Sequence, residues 1–143
     1  MLLWLAMILV SFVTGIFLTT VFVVSHNFEG SDRDPSRLGL GTSSKKIDWY
    51  KAQVETSCSY GGTLAMLLTG GLNMQIEHHV FPRLCSWHYP GVVGREVRKC
   101  CERHGVRYTY FPSFLDNTRS MLRYVRKVGA VHAATKIIHE VAH

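Results

Sequence analysis

Residues 1–24 read MLLWLAMILVSFVTGIFLTTVFVV and contain no charged side chain. An α-helix of this length, at a rise of about 1.5 Å per residue, crosses a hydrocarbon core of about 30 Å with some tilt. A secretory signal peptide would begin with basic residues and end in small residues around a cleavage site. Here no Lys or Arg precedes the apolar run, and SHNFEG follows it at 25–30. The stretch therefore predicts a retained transmembrane helix and a mainly α-helical membrane protein.

The charge and the cysteines of the remaining chain indicate its side of the membrane. The formal net charge is +6, and residues 83–143 carry eleven Lys and Arg against four Asp and Glu. Basic flanks favour the cytosolic side, where they meet anionic lipid headgroups. No nucleic-acid-binding motif accompanies this charge, so we expect no nucleic-acid partner. The cysteines are Cys58, Cys85, Cys100 and Cys101. None of them forms a CxxC pair, which favours reduced thiols over a disulfide framework.

After the apolar run the sequence predicts a loop and two short helices. Residues 25–46 are rich in Gly, Ser, Asp and Pro, as is typical of a polar loop. Residues 47–58 space their apolar side chains helically, and this helix lies either on the protein surface or in the headgroup zone. Residues 61–74 are apolar but too few to span a membrane, which predicts a buried or re-entrant helix. The Phe-Pro-Arg at 81–83 then ends the helix.

From residue 90 onward the pattern is that of a soluble, cytosolic helical region. An apolar stripe predicts a helix over 90–104, with Gly105 as its C-terminal stop. Residues 106–111 have weak strand character, since they are β-branched and aromatic. A second, basic amphipathic helix is predicted over 115–129, where Gly129 would end it.

The stretch QIEHH at 75–79 concentrates nitrogen and oxygen ligands beside the short apolar segment. In a helix Gln75, His78 and His79 occupy positions i, i+3 and i+4, so they share one face and can converge on one metal ion. Imidazole suits iron, copper, nickel and zinc alike. Glu77 points away from that face and would act as an outer acceptor that orients an imidazole N–H. The spacing alone leaves open a metal site or a pair of histidines exposed at the membrane surface.

A second polar pair, His26 and Asn27, follows the long apolar run. If both apolar segments end on the cytosolic face, this pair and QIEHH lie at the same depth. Polar groups at that depth are costly unless they are paired or functional, which favours one shared site. The alternative is a helix that simply ends in solvent-exposed polar residues.

Four stretches carry a resemblance to one enzyme family. GGLNMQIEHHVFP (70–82) closely resembles the third histidine box of front-end fatty acyl desaturases, which is QxxHH where other membrane desaturases have HxxHH. FVVSHNFEG (22–30) is similar to the end of the preceding transmembrane helix in that family, and DWYKAQVETSCSYGG (48–62) to its approach to the box. FPRLCSWHYPGVVGREVRKCCERHGVRY (81–108) is similar to its cytosolic continuation. The resemblance covers about residues 5–112.

The resemblance implies a di-iron membrane enzyme that uses O₂ to insert a cis double bond into a polyunsaturated acyl chain. His78 and His79 would be direct iron ligands, and Gln75 a weak ligand or an outer-shell group. His26 would be the histidine that the preceding helix supplies, with Asn27 in the outer shell. The implied partners are membrane lipid, a fatty acyl substrate and a cytochrome b5 electron donor. The implied location is the endoplasmic reticulum membrane, with the C-terminus in the cytosol.

The first two histidine boxes of that family, HxxxH-like and HxxHH, do not occur within the region of resemblance, about residues 5–112. The chain therefore supplies only part of the ligand set that two irons need. We expect a C-terminal fragment: residues 1–112 would be the end of a desaturase domain, and 113–143 a basic helical tail. Alone, such a chain is expected to be inactive and to need other desaturase chains or a complete parent. Two alternatives stay open: a non-catalytic membrane-associated interaction protein derived from a desaturase, and a portion of a sphingolipid desaturase or hydroxylase.

Overall fold

The computed structural model describes residues 1–31 and 48–141, with side chains described up to residue 134. The described chain is mainly helical, as predicted, with a small two-stranded sheet. Its helices are α1 (Leu2–His26), α2 (Trp49–Glu55), α3 (Thr63–Thr69), α4 (Gln75–Val80), α5 (Gly94–Arg103) and α6 (Phe114–Val141). The strands are β1 (Cys58–Tyr60) and β2 (Thr109–Phe111), and a 3₁₀ turn (Ser86–His88) and a π-helical segment (Tyr89–Val93) precede α5.

Helix α1 leaves nearly all of its apolar surface uncovered. Its most apolar 18-residue window has a mean hydropathy of 2.5, and it is the one described helix long and apolar enough to cross a membrane. Only Val21, Val24 and Ser25, all near its C-terminal end, are buried. Because 25 residues span about 37 Å, the exposed part of α1 matches a bilayer in length as well as in composition.

The sheet joins two segments that are distant in sequence. Strands β1 and β2 pair in parallel, with Cys58 opposite Thr109 and Tyr60 opposite Phe111. The predicted strand over 106–111 is thus confirmed at 109–111. The predicted helix over 47–58 is confirmed at 49–55; Ile47 lies outside the described residues, and the extension to Cys58 is wrong. Parallel pairing across some fifty residues decides the conformation there, and no local pattern reveals it.

Two glycines begin the turn of five residues, 70–74, that separates α3 from α4. Gly70 and Gly71 both have positive φ, 64° and 90°, a region that side chains with a Cβ disfavour. A Cβ on Gly71 would also lie 2.3 Å from the Cβ of Ser86. The apolar helix predicted over 61–74 is therefore limited to Thr63–Thr69, and the chain reverses before α4 begins at Gln75. As predicted, α4 ends before the Phe-Pro-Arg at 81–83.

Helix α3 is not buried within the described chain. Leu64, Leu67 and Leu68 are exposed, and Met66 is its one buried residue. Of the two predicted positions for this segment, the buried one is therefore wrong for the described residues. The re-entrant position stays a prediction.

The core of the region that follows α1 packs α4 between α2 and α5. Its central cluster is Val54 of α2, Ile76 of α4, and Val97 and Cys101 of α5. Ile76 is fully buried, and the Ser59 hydroxyl of β1 accepts a hydrogen bond from its backbone N–H at 3.3 Å. Helix α5 ends at Arg103, and Gly105 has a φ of 63°, which confirms the predicted stop. The six residues of α4 thus take their position from the elements around them, since so short a helix is unstable alone.

The last helix is longer than predicted. It begins at Phe114 and runs through Gly129 to Val141, so Gly129 as its stop is wrong. A glycine inside a helix costs only about 1 kcal/mol relative to alanine. Ala130, Ala133 and Ala134 follow, and their high helix propensity continues the helix beyond it.

The buried thiol of Cys58 gives a test of this fold. Cys58 lies in β1, and its Sγ is 3.6 Å from both the Val24 carbonyl and the Asn117 Oδ1. Burial raises the pKa of Cys58 to about 12. The reactive thiolate is then roughly 1,000-fold rarer at pH 7 than for an ordinary thiol. We expect maleimide to label the exposed Cys85 and Cys100 rapidly and Cys58 only after denaturation, as read by peptide mass spectrometry. Rapid labelling of Cys58 in the folded protein would contradict the burial of β1.

Candidate metal centre

The QIEHH stretch forms helix α4, and its histidines face the end of α1. Gln75, His78 and His79 lie in the single turn and a half of α4, as the spacing predicted. The ring centroid of His26, from the last turn of α1, lies 5.1 Å from that of His79. The ring centroid of His78 lies 6.1 Å from that of His79. The structure therefore brings three imidazoles from two helices together, with His79 at the centre.

The hydrogen bonds of His79 indicate its tautomer. Its Nδ1 lies 2.6 Å from the Gln53 Oε1 of α2, and its Nε2 lies 3.0 Å from the Gln75 Nε2. An amide oxygen only accepts, so Nδ1 carries the proton and donates it to Gln53. The Nε2 lone pair then faces the amide of Gln75. A histidine held in this way by Nδ1 presents Nε2 as the ligand atom.

The electrostatic environment keeps His79 neutral. Burial, followed by the neighbouring His26 and then His78, lowers the pKa of His79 to about 4. A metal ion binds the neutral imidazole, so protons compete little for this nitrogen at physiological pH.

Gln75 has an unused acceptor. Its side chain is buried, and its Oε1 has no hydrogen-bond partner. Buried polar atoms without a partner are rare in folded proteins. An amide oxygen next to His79 adds an oxygen donor to a nitrogen set, and iron accepts such a mixed set as other transition metals do. The donor types at this corner therefore fit part of an iron site.

Asn27 and Glu77 have protein partners of their own. Asn27 donates from Nδ2 to the Val23 carbonyl at 3.0 Å, which caps the end of α1. Glu77 is fully buried and accepts hydrogen bonds from the Ser59 hydroxyl at 2.8 Å and from the Tyr108 hydroxyl. The predicted partner of Glu77 is an imidazole N–H, whereas the partners in the structure are hydroxyl groups. Glu77 thus fixes α4 to the sheet from the side opposite the histidines.

Two residues for which the sequence predicts no role position the histidines. Gln53 fixes His79, and the Thr56 carbonyl lies 3.3 Å from the Nδ1 of His26. Both belong to the segment 48–62 whose resemblance was noted without assigning a role to any side chain. Gln53 is at least 25 residues away from any histidine in the sequence, so only its packing beside α4 reveals the contact.

The donor set at this corner is incomplete for a metal ion. Within residues 1–31 and 48–141, no group of three or more His, Cys, Asp and Glu side chains is arranged to hold one. The three imidazoles approach one another without converging on a common point. Additional ligands would be needed to complete a centre here.

Fold and site together define a histidine cluster at the end of a long apolar helix. The statistical model of the fatty acid desaturase family matches residues 1–112. The chain belongs to the fatty acid desaturase family. This confirms the predicted resemblance to front-end desaturases, since the curated relatives it matches include desaturases named for the 7-3, 8-3 and Δ5 specificities.

Three of these relatives illustrate the similarity. The chain is 37% identical over 122 residues to the chloroplastic acyl-lipid (7-3)-desaturase of Chlamydomonas reinhardtii, which covers 83% of this chain and 23% of that protein. It is 39% identical over 124 residues to the acyl-lipid (7-3)-desaturase of Diacronema lutheri, covering 86% and 27% respectively. For the delta(5) fatty acid desaturase A of Dictyostelium discoideum the identity is 31% over 129 residues, covering 85% and 27%. The chain spans about a quarter of the length of these relatives. No solved structure matches it.

Proposed function

We propose that this chain supplies the third histidine box, together with His26, to the iron site of a di-iron acyl-lipid desaturase. The observation that carries the proposal is the contact of His26 with His79 across two helices, because it joins the family's box to the end of the apolar helix. Membership of the family and the acyl-lipid activity in the names of its relatives support the same function.

His78, His79 and His26 would hold iron through nitrogen, and Gln75 would add its unpaired amide oxygen or support His79. When bound, iron would supply the activation of O₂ that removes hydrogen from the acyl chain and leaves a cis double bond. The chain's own residues would orient the ligands. Gln53 keeps the proton of His79 on Nδ1, and Glu77 holds α4 in place through Ser59 and Tyr108.

The same proposal includes the setting of the reaction. The exposed apolar surface of α1 supports a membrane location with a lipid-borne acyl substrate. The surplus of Lys and Arg in 83–143 supports a cytosolic C-terminal region. On the family resemblance, the proposal also includes a cytochrome b5 electron donor and a location in the endoplasmic reticulum membrane.

The incomplete donor set has a consequence for activity. Two irons need more ligands than the three imidazoles and one amide described here. The remaining histidines would come from the other two boxes, on the same polypeptide or on another desaturase chain. Residues 1–143 alone are therefore proposed to be inactive.

A chimaera tests this proposal. The matching segment of the Chlamydomonas acyl-lipid (7-3)-desaturase is replaced by residues 1–143, and the desaturated product is quantified in yeast membranes by gas chromatography. We expect product from the chimaera and none above the empty vector from residues 1–143 alone. Product from residues 1–143 alone would contradict the incompleteness of the site. A chimaera that reaches the membrane but yields neither product nor bound iron would favour the non-catalytic interaction protein.

A further inference from the structure

Helix α6 carries an exposed apolar arc that the described chain does not cover. At 100° per residue, this arc covers roughly 140° of the helix circumference. Its members and their exposed fractions are Leu115 (63%), Leu122 (47%), Val125 (50%) and Val128 (48%). An apolar stripe of this width on a surface helix normally faces a core or another apolar phase.

A basic arc borders the apolar arc directly. Arg119, Arg123, Arg126 and Lys127 cover roughly the next 100° of the helix. Asp116, in the first turn, lies on the same side and pairs with Arg119 at 3.3 Å. Because Glu29 also pairs with Arg123, four cations face two carboxylates, and this side of α6 keeps a net positive charge.

The third side of α6 attaches it to the end of α1. Asn117 and Ser120 are buried there. The Ser120 hydroxyl accepts a hydrogen bond from the Glu29 N–H at 2.9 Å, and the Glu29 carboxylate pairs with Arg123 at 2.7 Å. Helix α6 is therefore held where the apolar surface of α1 ends. That fixes its distance from the bilayer surface if α1 spans the membrane.

We propose that α6 is an interfacial helix that binds the surface of an anionic bilayer. Its apolar arc enters the boundary between headgroups and acyl chains, and its basic arc contacts lipid phosphates. A helix with one apolar and one Lys/Arg-rich face is the form that lies in this plane. Since α6 is attached just beyond the end of α1, the surface of a bilayer around α1 would lie near α6, and anionic headgroups match the basic arc in charge. The inference goes beyond the proposed desaturase function and does not depend on iron.

The test uses the full chain in vesicles, with one tryptophan placed on each arc. Trp4, Trp49 and Trp87 are exposed and are first replaced by phenylalanine. Val125→Trp then reports on the middle of the apolar arc and Ala130→Trp on the basic side. In phosphatidylcholine vesicles containing phosphatidylserine, lipids brominated on the upper acyl chain are expected to quench Val125→Trp several-fold more than Ala130→Trp. Acrylamide in the water should show the reverse order.

Charge removal separates lipid binding from other ways of covering the arc. Replacing Arg126 and Lys127 by glutamine should weaken α6 docking by roughly fivefold per cation, seen as reduced lipid quenching of Val125→Trp on anionic vesicles. Strong acrylamide quenching at both positions would overturn the proposal, since α6 would project into water. Quenching of Val125→Trp by neither reagent would also overturn it, because a second protein surface would then cover the apolar arc.

Discussion

In the chimaera, His79→Ala is expected to lower product formation at least about 100-fold, since under the proposed function it removes a metal ligand and not only a group that supports one. The imidazole of His79 lies next to those of both His26 and His78. Since its Nδ1 donates to Gln53, its Nε2 carries the lone pair that a metal ion would bind. Desaturated product in membranes and iron bound by the purified chimaera are the two measurements. Loss of both together is the expected result, because a ligand acts on catalysis through the metal.

His88→Ala is the matched control for that variant. His88 is exposed in the 3₁₀ turn after α4, so its removal should leave product and iron unchanged. Gln53→Leu supplies an intermediate case, with an expected loss of about 10- to 100-fold, because the His79 ring would lose the acceptor of its Nδ1 proton. Equal activity of His79→Ala and His88→Ala would contradict the assignment of His79 as a ligand.

Glu77→Ala is expected to give the largest loss of stability among substitutions near the site. Its carboxylate is the acceptor for two hydroxyl groups, those of Ser59 and Tyr108. Alanine would leave both hydroxyls without this acceptor and open a cavity beneath α4, so the free energy of unfolding should fall by about 3 kcal/mol. Denaturant unfolding of residues 1–143 in detergent micelles, followed by tryptophan fluorescence, measures the change.

Two further variants distinguish the loss of the acceptor from the loss of charge. Glu77→Gln keeps an oxygen acceptor and adds a donor that either hydroxyl can accept, so it should cost about 1 kcal/mol. Glu102→Ala removes an exposed glutamate from α5 and should change stability by less than about 0.5 kcal/mol. A Glu77→Ala protein as stable as Glu102→Ala would show that Glu77 does not hold α4 to the sheet.

The features that sequence could predict are those encoded locally. The absence of charge in residues 1–24 predicts α1, and the proline at 82 marks the end of α4. A glycine directly after an amphipathic helix predicts the positive φ of Gly105. The spacing in QIEHH likewise places Gln75, His78 and His79 on one helix because that spacing depends only on helix geometry. Each of these is a property of a few neighbouring residues.

The features that sequence missed depend on contacts between distant segments. Strand β1 exists because β2 pairs with it, whereas its first residue, Cys58, continues a helical spacing in the sequence. The role of Gln53 arises from the packing of α2 beside α4, and the true partners of Glu77 come from β1 and from Tyr108. Helix α6 passes Gly129 because a single weak helix former does not outweigh the alanines beyond it.

The hydrogen bond between Tyr108 and Glu77 affects the orientation of helix α4 and its histidines. Burial and Glu77 raise the pKa of Tyr108, so its hydroxyl remains a donor, and the Arg98 guanidinium stacks on its ring at 5.0 Å. The orientation of the histidine helix is thus set partly by side chains that lie thirty residues further along the chain. Substitutions at Arg98 or Tyr108 can therefore rotate or loosen the histidines of α4 while the QIEHH sequence stays the same. Two desaturases with identical boxes need not hold their metal with equal rigidity.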